Sequence, residues 1–324
     1  AYEMQRSLVG SEMCIRDRLH TLGIDIGSTT VKVALMNDND DIIFSDYERH
    51  YANIQDTLAN LLRKAREITG PISVHPVITG SGGLTLANHL EIPFNQEVVS
   101  VSTALRHYAP QTDVAIELGG EDAKIIYFTG GIDQRMNGIC AGGTGSFIDQ
   151  MASLLQTDAA GLNEYAKNYK AIYPIAARCG VFAKTDIQPL LNEGIPTTDL
   201  ALSALHAVAR QTIGGLAQGI DIEPPVIFEG GTLAYNPTLV RVFREQLNLS
   251  DDQVIVPRDP QIMVARGAAL SLTDMFASSQ PIDLPDAFVR LDKLETVAPA
   301  SGEGRLAQPF FATPAEQADF TARH

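Results

Sequence analysis

The sequence predicts an α/β fold with mixed sheets, built from two related halves. Segments with a strand pattern and segments with a helical pattern alternate along most of the chain, as is typical of α/β proteins. The motif DIGSTTVK at residues 25–32 returns as ELGGEDAK at residues 117–124, each with an acid first and a lysine seven residues later. A chain of 324 residues that is 45% hydrophobic can bury the cores of two ordinary domains.

The first half reads as three strands, a helix and a fourth strand. Apolar residues dominate residues 21–27 and 30–36, which predicts two strands joined by a tight turn, and residues 42–51 continue as a third. Residues 54–68 predict an amphipathic helix, whose apolar stripe is Ile54, Leu58, Leu61, Leu62, Ala65 and Ile68. A strand pattern resumes at residues 75–82.

The second half also alternates between strand and helix patterns. The predicted segments are strands at 113–120 and 123–131, helices at 146–156 and 199–218, strands at 224–231 and 252–257, and a helix at 262–276. The first helix has an apolar stripe of Phe147, Ile148, Met151, Leu154 and Leu155. Strands that alternate with helices are typical of an α/β chain, and we predict mixed sheets for this one.

The two ends of the chain lack these patterns. Residues 1–18 show no periodicity that continues into the first strand, so we interpret them as a non-native or disordered leader, and Cys14 is discounted with them. The C-terminal part is rich in Pro, Ala, Ser and Gly, which indicates a linker or docking arm without a core. The predicted organisation is a leader at 1–18, a first lobe at 19–110, a second lobe at 111–276 and an arm at 277–324.

Charge, hydropathy and cysteine content argue against several classes of protein. The net charge of -15, without clustered Lys and Arg, disfavours a nucleic-acid partner. The chain has no run of about eighteen apolar residues that could span a membrane, and its first residues lack an apolar secretory core. We therefore expect a cytoplasmic protein without a membrane partner. Three cysteines without a secretory signal favour ligation or redox chemistry over a disulfide framework.

Each copy of the repeated motif lies between a strand and its return strand, at a hairpin tip. Glycine lets backbone N–H groups approach phosphate, hydroxyl groups donate to its oxygens, and paired acids can hold Mg²⁺ through bound water. The candidate phosphate ligands are Gly27, Ser28, Thr29, Thr30 and Lys32 in the first tip and Gly119, Gly120, Asp122 and Lys124 in the second, and the candidate acids are Asp25 and Glu117. For either tip alone a plain glycine hairpin is an equal alternative, but the matched pair favours a nucleotide site.

A third glycine site follows the strand in VIFEGGTLAYNP, where Gly230 and Gly231 precede a helix start. Ligands in open α/β sheets bind at the carboxyl ends of strands, although a Gly-Gly pair alone is weak evidence. The sequence contains no GxxxxGK[ST] motif, which excludes the common phosphate loop. We therefore predict that a nucleotide is clamped between two domains.

Cys140 and Cys179 are the candidate metal ligands. They lie 39 residues apart, outside the CxxC spacing that lets one chain wrap a cluster, and each precedes a predicted helix whose positive end would stabilise an anionic cluster. Cys140 also stands beside a glycine turn whose Gly142, Gly143 and Thr144 are candidate nucleotide ligands. Two buried structural cysteines are the alternative reading.

These motifs resemble a known superfamily and, within it, one family. DIGSTTVK, ELGGEDAK and EGGTLAYNP resemble the two phosphate loops and the adenosine loop of the superfamily of actin, sugar kinases and heat-shock chaperones. NGICAGGTGSF and AARCGVFAKTDI resemble the ATP-dependent activators of 2-hydroxyacyl-CoA dehydratases, a family shared with the ATPase subunits of benzoyl-CoA reductase. The resemblance covers about residues 21 to 273.

The resemblance implies an actin-like, ribonuclease H-like duplicated fold of two lobes with mixed sheets flanked by helices. It implies a homodimer that holds one 4Fe-4S cluster between its subunits, with Cys140 and Cys179 contributed by each chain. ATP hydrolysis to ADP, with Mg²⁺, would drive a single low-potential electron into a partner dehydratase-type or reductase-type enzyme, in an anaerobic setting. Ferredoxin or flavodoxin is the electron donor that this implies.

Two positions depart from the family pattern. The second phosphate loop of the family has Asp first and Gln fifth, where this chain has Glu117 and Glu121. Glu117 can still reach Mg²⁺ through water, whereas Glu121 replaces the amide that would orient the attacking water and becomes the third candidate catalytic residue. The ELGGEDAK form and the proline-rich arm resemble the N-terminal copy in large tandem relatives. A small-molecule kinase and a non-catalytic ATP-binding module of a longer chain are the alternative functions.

Overall fold

Two five-stranded sheets form the framework of the protein. The computed structural model describes residues 20–138, 140–277, 289–290, 294–295, 311 and 313–323. The predicted leader lies outside the described residues, as does most of the predicted arm. Across the described residues, no helix is long and apolar enough to cross a membrane.

The first sheet holds β1 (Thr21–Ile26), β2 (Thr30–Met36), β3 (Ile42–Arg49) and β4 (Ser73–Thr79), with the short β10 (Val289–Arg290) at its edge. Its strand order is β10-β4-β1-β2-β3. β1 pairs antiparallel with β2 and parallel with β4, so the sheet is mixed, as predicted.

Helix α1 (Ile54–Thr69) covers one face of the first sheet. Asn53 caps its N-terminus by accepting from Asp56 N, and its apolar stripe is buried from Leu58 to Ala65. The predicted last member of the stripe is wrong, because Ile68 is 68% exposed in the final turn, where the helix extends past the sheet core. Helix α2 (Gly83–Leu90) follows β4.

The second sheet repeats this topology. It holds β5 (Val114–Leu118), β6 (Ala123–Tyr127), β7 (Asp133–Met136), β8 (Val226–Glu229) and β9 (Val254–Ile255), in the order β7-β6-β5-β8-β9. β5 is antiparallel to β6 and parallel to β8, as β1 is to β2 and β4. The repeated motif thus marks a repeated supersecondary unit.

Helices between β7 and β8 build the large core of this half. They are α4 (Gly145–Leu154), α5 (Ala159–Lys167), α6 (Gly180–Asn192) and α7 (Thr197–Thr212), followed by a π-helical turn at Ile213–Ala217. The turn ends α7 earlier than predicted, where Gly214 and Gly215 enter the sequence. After β8 come the short α8 (Gly231–Ala234) and then α9 (Pro237–Gln246).

Two helices pack between the sheets. They are α3 (Glu97–Tyr108), for which the sequence analysis gave no bounds, and α10 (Met263–Ala277). Val101 and Leu105 share a buried cluster with Met263 and with Ile227 of the second sheet, while Leu270 packs with Met36 of the first. These helices therefore fix the position of one sheet relative to the other, and with it the position of the hairpin tips.

The described parts of the arm include α11 (Pro314–Arg323), which is exposed throughout. Upstream of it, Leu294 is buried in the core of the first sheet, and Glu295 pairs with Arg66 of α1. Part of the predicted arm therefore lies against the first sheet.

Candidate functional site

The two hairpin tips carry matched acid–lysine pairs. Asp25 and Lys32 lie opposite each other in β1 and β2, so their side chains leave the sheet on the same side, and Lys32 Nζ is 2.7 Å from Asp25 Oδ2. Glu117 and Lys124 hold the same positions in β5 and β6, with Lys124 Nζ 3.3 Å from Glu117 Oε1. The seven-residue spacing of the repeat therefore places a cation across from each acid.

The tips contact each other directly. A Cβ atom added at Gly120 would collide with the side chain of Thr29. The bare backbone of the second tip therefore lies against the hydroxyl-bearing turn of the first. A glycine backbone and a hydroxyl group therefore meet here, and both are group types that can donate to phosphate oxygens.

The third glycine site adjoins the same place. Thr232 Oγ1 donates a hydrogen bond of 2.8 Å to the carbonyl oxygen of Gly119, which ties the start of α8 to the second tip. Gly231 packs against Tyr47 of β3, whose ring lies 5.5 Å from that of Tyr235. All three predicted glycine sites thus come together, with two aromatic rings beside them that the sequence did not indicate.

A buried carboxylate that the sequence analysis missed lies beneath the tips. Glu229 ends β8, pairs with Glu117 across parallel strands and is fully buried. Neither of its carboxyl oxygens makes a hydrogen bond within the described residues, and the same holds for Glu117 Oε2 and Asp25 Oδ1. Glu97, in the first turn of α3, joins the group through a contact of 2.6 Å with Lys124 Nζ.

Burial sets the protonation of these acids. Desolvation raises the pKa of Glu117 to about 7, against the opposing effect of Lys124 and with the help of Glu97 and Asp25. Desolvation and then the charge of Glu117 raise the pKa of Glu229 well above its ordinary value. Desolvation also raises the pKa of Asp25, although the charge of Lys32 opposes the shift. The site carries more acid than its two lysines neutralise.

Unpaired buried oxygens suit a cation. Four carboxyl groups, from Asp25, Glu97, Glu117 and Glu229, surround two lysines, and burying unpaired carboxylates is costly. Mg²⁺ prefers one or two carboxylates together with water and phosphate oxygens. The free oxygens of Asp25 and Glu117 at the phosphate tips fit that requirement.

The Cys140 segment is attached to the second tip. The first two amides of α4 donate hydrogen bonds of 3.0 and 2.7 Å to the carbonyl oxygens of Gly119 and Gly120. Asn137, a residue that the sequence analysis did not single out, bonds to Glu121 and Cys140 as well as to Ala123. The thiol of Cys140 is exposed and accepts from Gly142 N at 3.4 Å.

Cys179 caps the N-terminus of α6. The backbone N–H groups of Phe182 and Val181 hold the pKa of its thiol below the ordinary value, so this position favours the thiolate form. Gly142 packs against the carbonyl oxygen of Arg178 as well as against Cys140 Sγ, so the two cysteine segments are neighbours. Among the described residues, no three His, Cys, Asp or Glu side chains are grouped to hold a metal. Cys140 and Cys179 thus lie on neighbouring segments of one chain, and no third such side chain joins them among the described residues.

The remaining predicted residues are placed less directly. Thr144 is buried and donates to the carbonyl oxygen of Ala141, so its hydroxyl stabilises the glycine turn itself. Gly143 packs against Thr212 of α7, and the side chain of Glu121 is exposed. An ion pair of 2.8 Å between Arg49 of β3 and Asp149 of α4 further joins the two halves.

Comparison with known proteins connects these features to one family. Residues 22–271 match the model of the BadF/BadG/BcrA/BcrD ATPase family. The activator of lactoyl-CoA dehydratase from Anaerotignum propionicum is 30% identical, over 78% of this chain and 96% of its own length. Two solved structures also have folds similar to that of this chain.

The first solved protein is the activator of 2-hydroxyisocaproyl-CoA dehydratase from Clostridium difficile with bound ADPNP. It superposes with a TM-score of 0.71 and 28% identity, over 81% of this chain and 97% of the activator. The second is component A of (R)-2-hydroxyglutaryl-CoA dehydratase from Acidaminococcus fermentans, with a TM-score of 0.71 and 26% identity, over 80% of this chain and all of that one.

Proposed function

Since this chain belongs to the BadF/BadG/BcrA/BcrD ATPase family and is an ATPase of the actin-like fold, we propose that it is an electron-transfer activator. It couples ATP hydrolysis to single-electron transfer from a 4Fe-4S cluster into a dehydratase-type or reductase-type enzyme. Its relatives that are named activators of CoA-ester dehydratases support this partner class. A ferredoxin or flavodoxin donor and a cytoplasmic location belong to the same proposal.

The observation that carries the proposal is the physical attachment of the second hairpin tip to the Cys140 segment. An ordinary kinase has no need for a phosphate-binding glycine tip to be attached to a cysteine that binds iron. Here the carbonyl oxygens of Gly119 and Gly120 are held by α4, and that of Glu121 by Asn137. Movement of the tip with its nucleotide therefore reaches the cysteine directly.

In the ATPase site, we assign phosphate binding to the backbone and hydroxyl groups of Gly27 to Thr30 and to the backbone of Gly119 to Asp122. Asp25 and Glu117 would hold Mg²⁺ through water, each kept in place by its lysine at the paired position. Gly230 and Gly231 would adjoin the adenosine. Glu121, exposed at the second tip, is the candidate that orients or deprotonates the attacking water.

The cysteines fit an iron–sulfur cluster shared by two chains. Cys140 is exposed, and Cys179 sits at a helix N-terminus that stabilises its thiolate. Two such chains supply the four thiolates that a 4Fe-4S cluster takes, and such a cluster supplies a low-potential electron. We assign to each chain the task of presenting the two thiolates and of changing their exposure when nucleotide binds.

The test compares iron loss with nucleotide state. Anaerobically purified protein is mixed with an iron chelator in ATP, ADP or no nucleotide, and the chelation rate is followed for the unmodified chain, Asp25→Asn and the exposed control Asp38→Asn. We expect rates that differ with nucleotide in the unmodified and control proteins and equal rates in Asp25→Asn, because a ligand shifts a conformation only through differential binding.

Three equal rates in the unmodified protein would mean that the two sites merely share a chain. Colourless protein without iron would instead favour the non-catalytic module, and phosphorylation of a small hydroxyl compound would favour the kinase. Each outcome therefore separates the activator from one of the alternatives.

A further inference from the structure

The segment that carries Cys140 is attached to the second hairpin tip on both sides. On its C-terminal side the attachment is made by the first two amides of α4, which donate to the carbonyl oxygens of Gly119 and Gly120. On its N-terminal side it is made by a single side chain, Asn137, which directly follows β7. Asn137 thus connects the tip to Cys140 through a single side chain.

The side-chain amide of Asn137 makes three hydrogen bonds. Its Oδ1 accepts a hydrogen bond of 2.7 Å from Ala123 N, and its Nδ2 donates at 2.9 Å to Glu121 O and at 3.0 Å to Cys140 O. Because both carbonyl oxygens can only accept and the Ala123 amide can only donate, the partners fix which end of the side chain is nitrogen. Asn137 N also donates to Ala123 O at 3.1 Å.

We propose that Asn137 is the positioning residue that transmits the nucleotide state of the second tip to Cys140. Its Nδ2 atom donates to two carbonyl oxygens at once. One belongs to Glu121, beside the predicted phosphate contacts, and the other belongs to Cys140. When the tip moves, either the Cys140 peptide moves with it or one of these hydrogen bonds is lost. The inference rests on the proposed function, since it takes the tip to bind phosphate.

A simpler reading is that Asn137 only closes the β6–β7 hairpin, as Asn side chains often do for nearby backbone groups. The two readings use different atoms of one side chain. Oδ1 serves Ala123 inside the hairpin, whereas Nδ2 serves the link between Glu121 and Cys140. Asn137→Asp keeps the acceptor and removes both donors, so it cuts the link and spares the hairpin.

The experiment measures alkylation of Cys140 in the full chain after anaerobic removal of iron, resolved by peptide mass spectrometry. Rates are compared without nucleotide, with ADP and with a non-hydrolysable ATP analogue at saturation, confirmed by calorimetry for each variant. The matched control is Asn37→Asp, because Asn37 likewise accepts from backbone amides, those of Asn39 and Asp41, in the distant β2–β3 turn. It introduces the same charge without touching the tip.

In the unmodified chain and in Asn37→Asp we expect the alkylation rate to change about fivefold between nucleotide-free and analogue-bound protein, the lower end of usual allosteric coupling. In Asn137→Asp the change should fall below about twofold, with nucleotide affinity close to that of the unmodified chain. The variant should melt at a somewhat lower temperature, because a carboxylate oxygen then faces the two carbonyl oxygens to which Nδ2 had donated. Asn137→Ala should also lose the response, with an added loss of stability from the unpaired Ala123 amide.

A full response in Asn137→Asp with nucleotide bound, or no response in the unmodified chain with nucleotide bound, would overturn the role of Asn137 and leave the ATPase site standing. Failure of the unmodified chain to bind either nucleotide would remove the proposed site together with the inference. The two failures are therefore told apart by calorimetry alone.

Discussion

At the residue scale, two buried carboxyl groups lie at paired positions of parallel strands. Glu117 and Glu229 leave the second sheet on the same side, and Glu229 has no hydrogen-bond partner within the described residues. Burial disfavours the charged form of each and raises both pKa values, to about 7 for Glu117. Lys124 and Glu97 are the other charged groups that act on Glu229. This pair should make stability depend on pH.

The sign follows from proton binding. A carboxyl group whose pKa is raised by folding stabilises the fold fully below its unfolded value, near 4.5, and that contribution is lost as the pH rises towards the folded value. Each group that holds its proton in the folded state reduces the free energy of unfolding by up to about 1.4 kcal/mol per pH unit in that window. For Glu117 the window runs from 4.5 to about 7.

Glu229→Gln keeps the shape of the protonated acid and removes the titration. We therefore expect the variant to melt a few degrees higher than the unmodified protein at about pH 8, and at nearly the same temperature at about pH 5. Melting curves with a chelator present and no nucleotide measure this, and Glu223→Gln, at an exposed position, is the control. An equal difference at both pH values would show that Glu229 is charged or does not titrate.

Gly120 offers a second test at this scale. Because a Cβ atom there would collide with Thr29, Gly120→Val must push the two tips apart. We expect calorimetry to show nucleotide affinity reduced by about tenfold or more, with the fold retained, since 1.4 kcal/mol of lost binding is a factor of ten. The control is Gly214→Val, where an added Cβ has open space. Unchanged affinity in Gly120→Val would mean that the nucleotide binds elsewhere.

At this scale, the sequence predicted the site residues that belong to the repeated motif and missed the others. Asp25 and Glu117 were recognisable because each begins a copy of one motif with its lysine in register. Glu229 appears once, at the end of a strand that leads into glycines, so only its burial reveals it. Asn137 was not recognisable either, because its hydrogen bonds join segments whose proximity the sequence does not encode locally.

At the element scale, the hairpins and the long amphipathic helices were predictable, whereas the bounds of α3 were not. The core face of α3 carries Ser100, Ser102 and Thr103, polar residues that are buried here and that break the apolar pattern. Their small size serves the packing of α3 on α10, where a Cβ atom at Gly267 would collide with the carbonyl oxygen of Ser100. Close contact between these helices therefore adds to the burial of Val101 and Leu105 in stabilising α3.

The close contact between α3 and α10 predicts that an alanine at position 267 destabilises the protein, the opposite of its usual effect in a helix. In an exposed helix, Gly→Ala stabilises by up to about 1 kcal/mol, because alanine favours helix. At Gly267 the added methyl group meets backbone, so Gly267→Ala should instead destabilise by about 1–3 kcal/mol. Urea denaturation measures the change, with Gly214→Ala as the open-space control. A more stable Gly267→Ala variant would show that α3 and α10 lie further apart.

At the scale of the whole molecule, the repeated motif predicted two related halves, and the two sheets have the same strand order around β1 and β5. The division into lobes at 19–110 and 111–276 stays a prediction. Helix α10 follows the second sheet in sequence but packs on the first, because Gly23 of β1 makes room for the Ala265 backbone. Such a long-range return leaves no periodic signal, which is why the sequence did not indicate it.

The proposed cluster also predicts how many chains assemble. Each chain presents Cys140 and Cys179 on neighbouring segments, and a 4Fe-4S cluster takes four thiolates. A shared cluster therefore needs two chains, and iron should approach four atoms per dimer, a ratio that the proposed ligand set requires. Cys140→Ser and Cys179→Ser should each lose most of the iron and shift the protein towards monomer, whereas Cys14→Ser, outside the described residues, should retain both.

Iron content and light-scattering mass, measured together on anaerobic protein before and after exposure to oxygen, decide this. Oxygen should bleach the unmodified protein as the exposed cluster is lost, and nucleotide binding should survive in Cys140→Ser, because the hairpin tips keep all their donors. A monomer that retains a full cluster would contradict the shared site, since one described chain groups no third His, Cys, Asp or Glu ligand with these thiols.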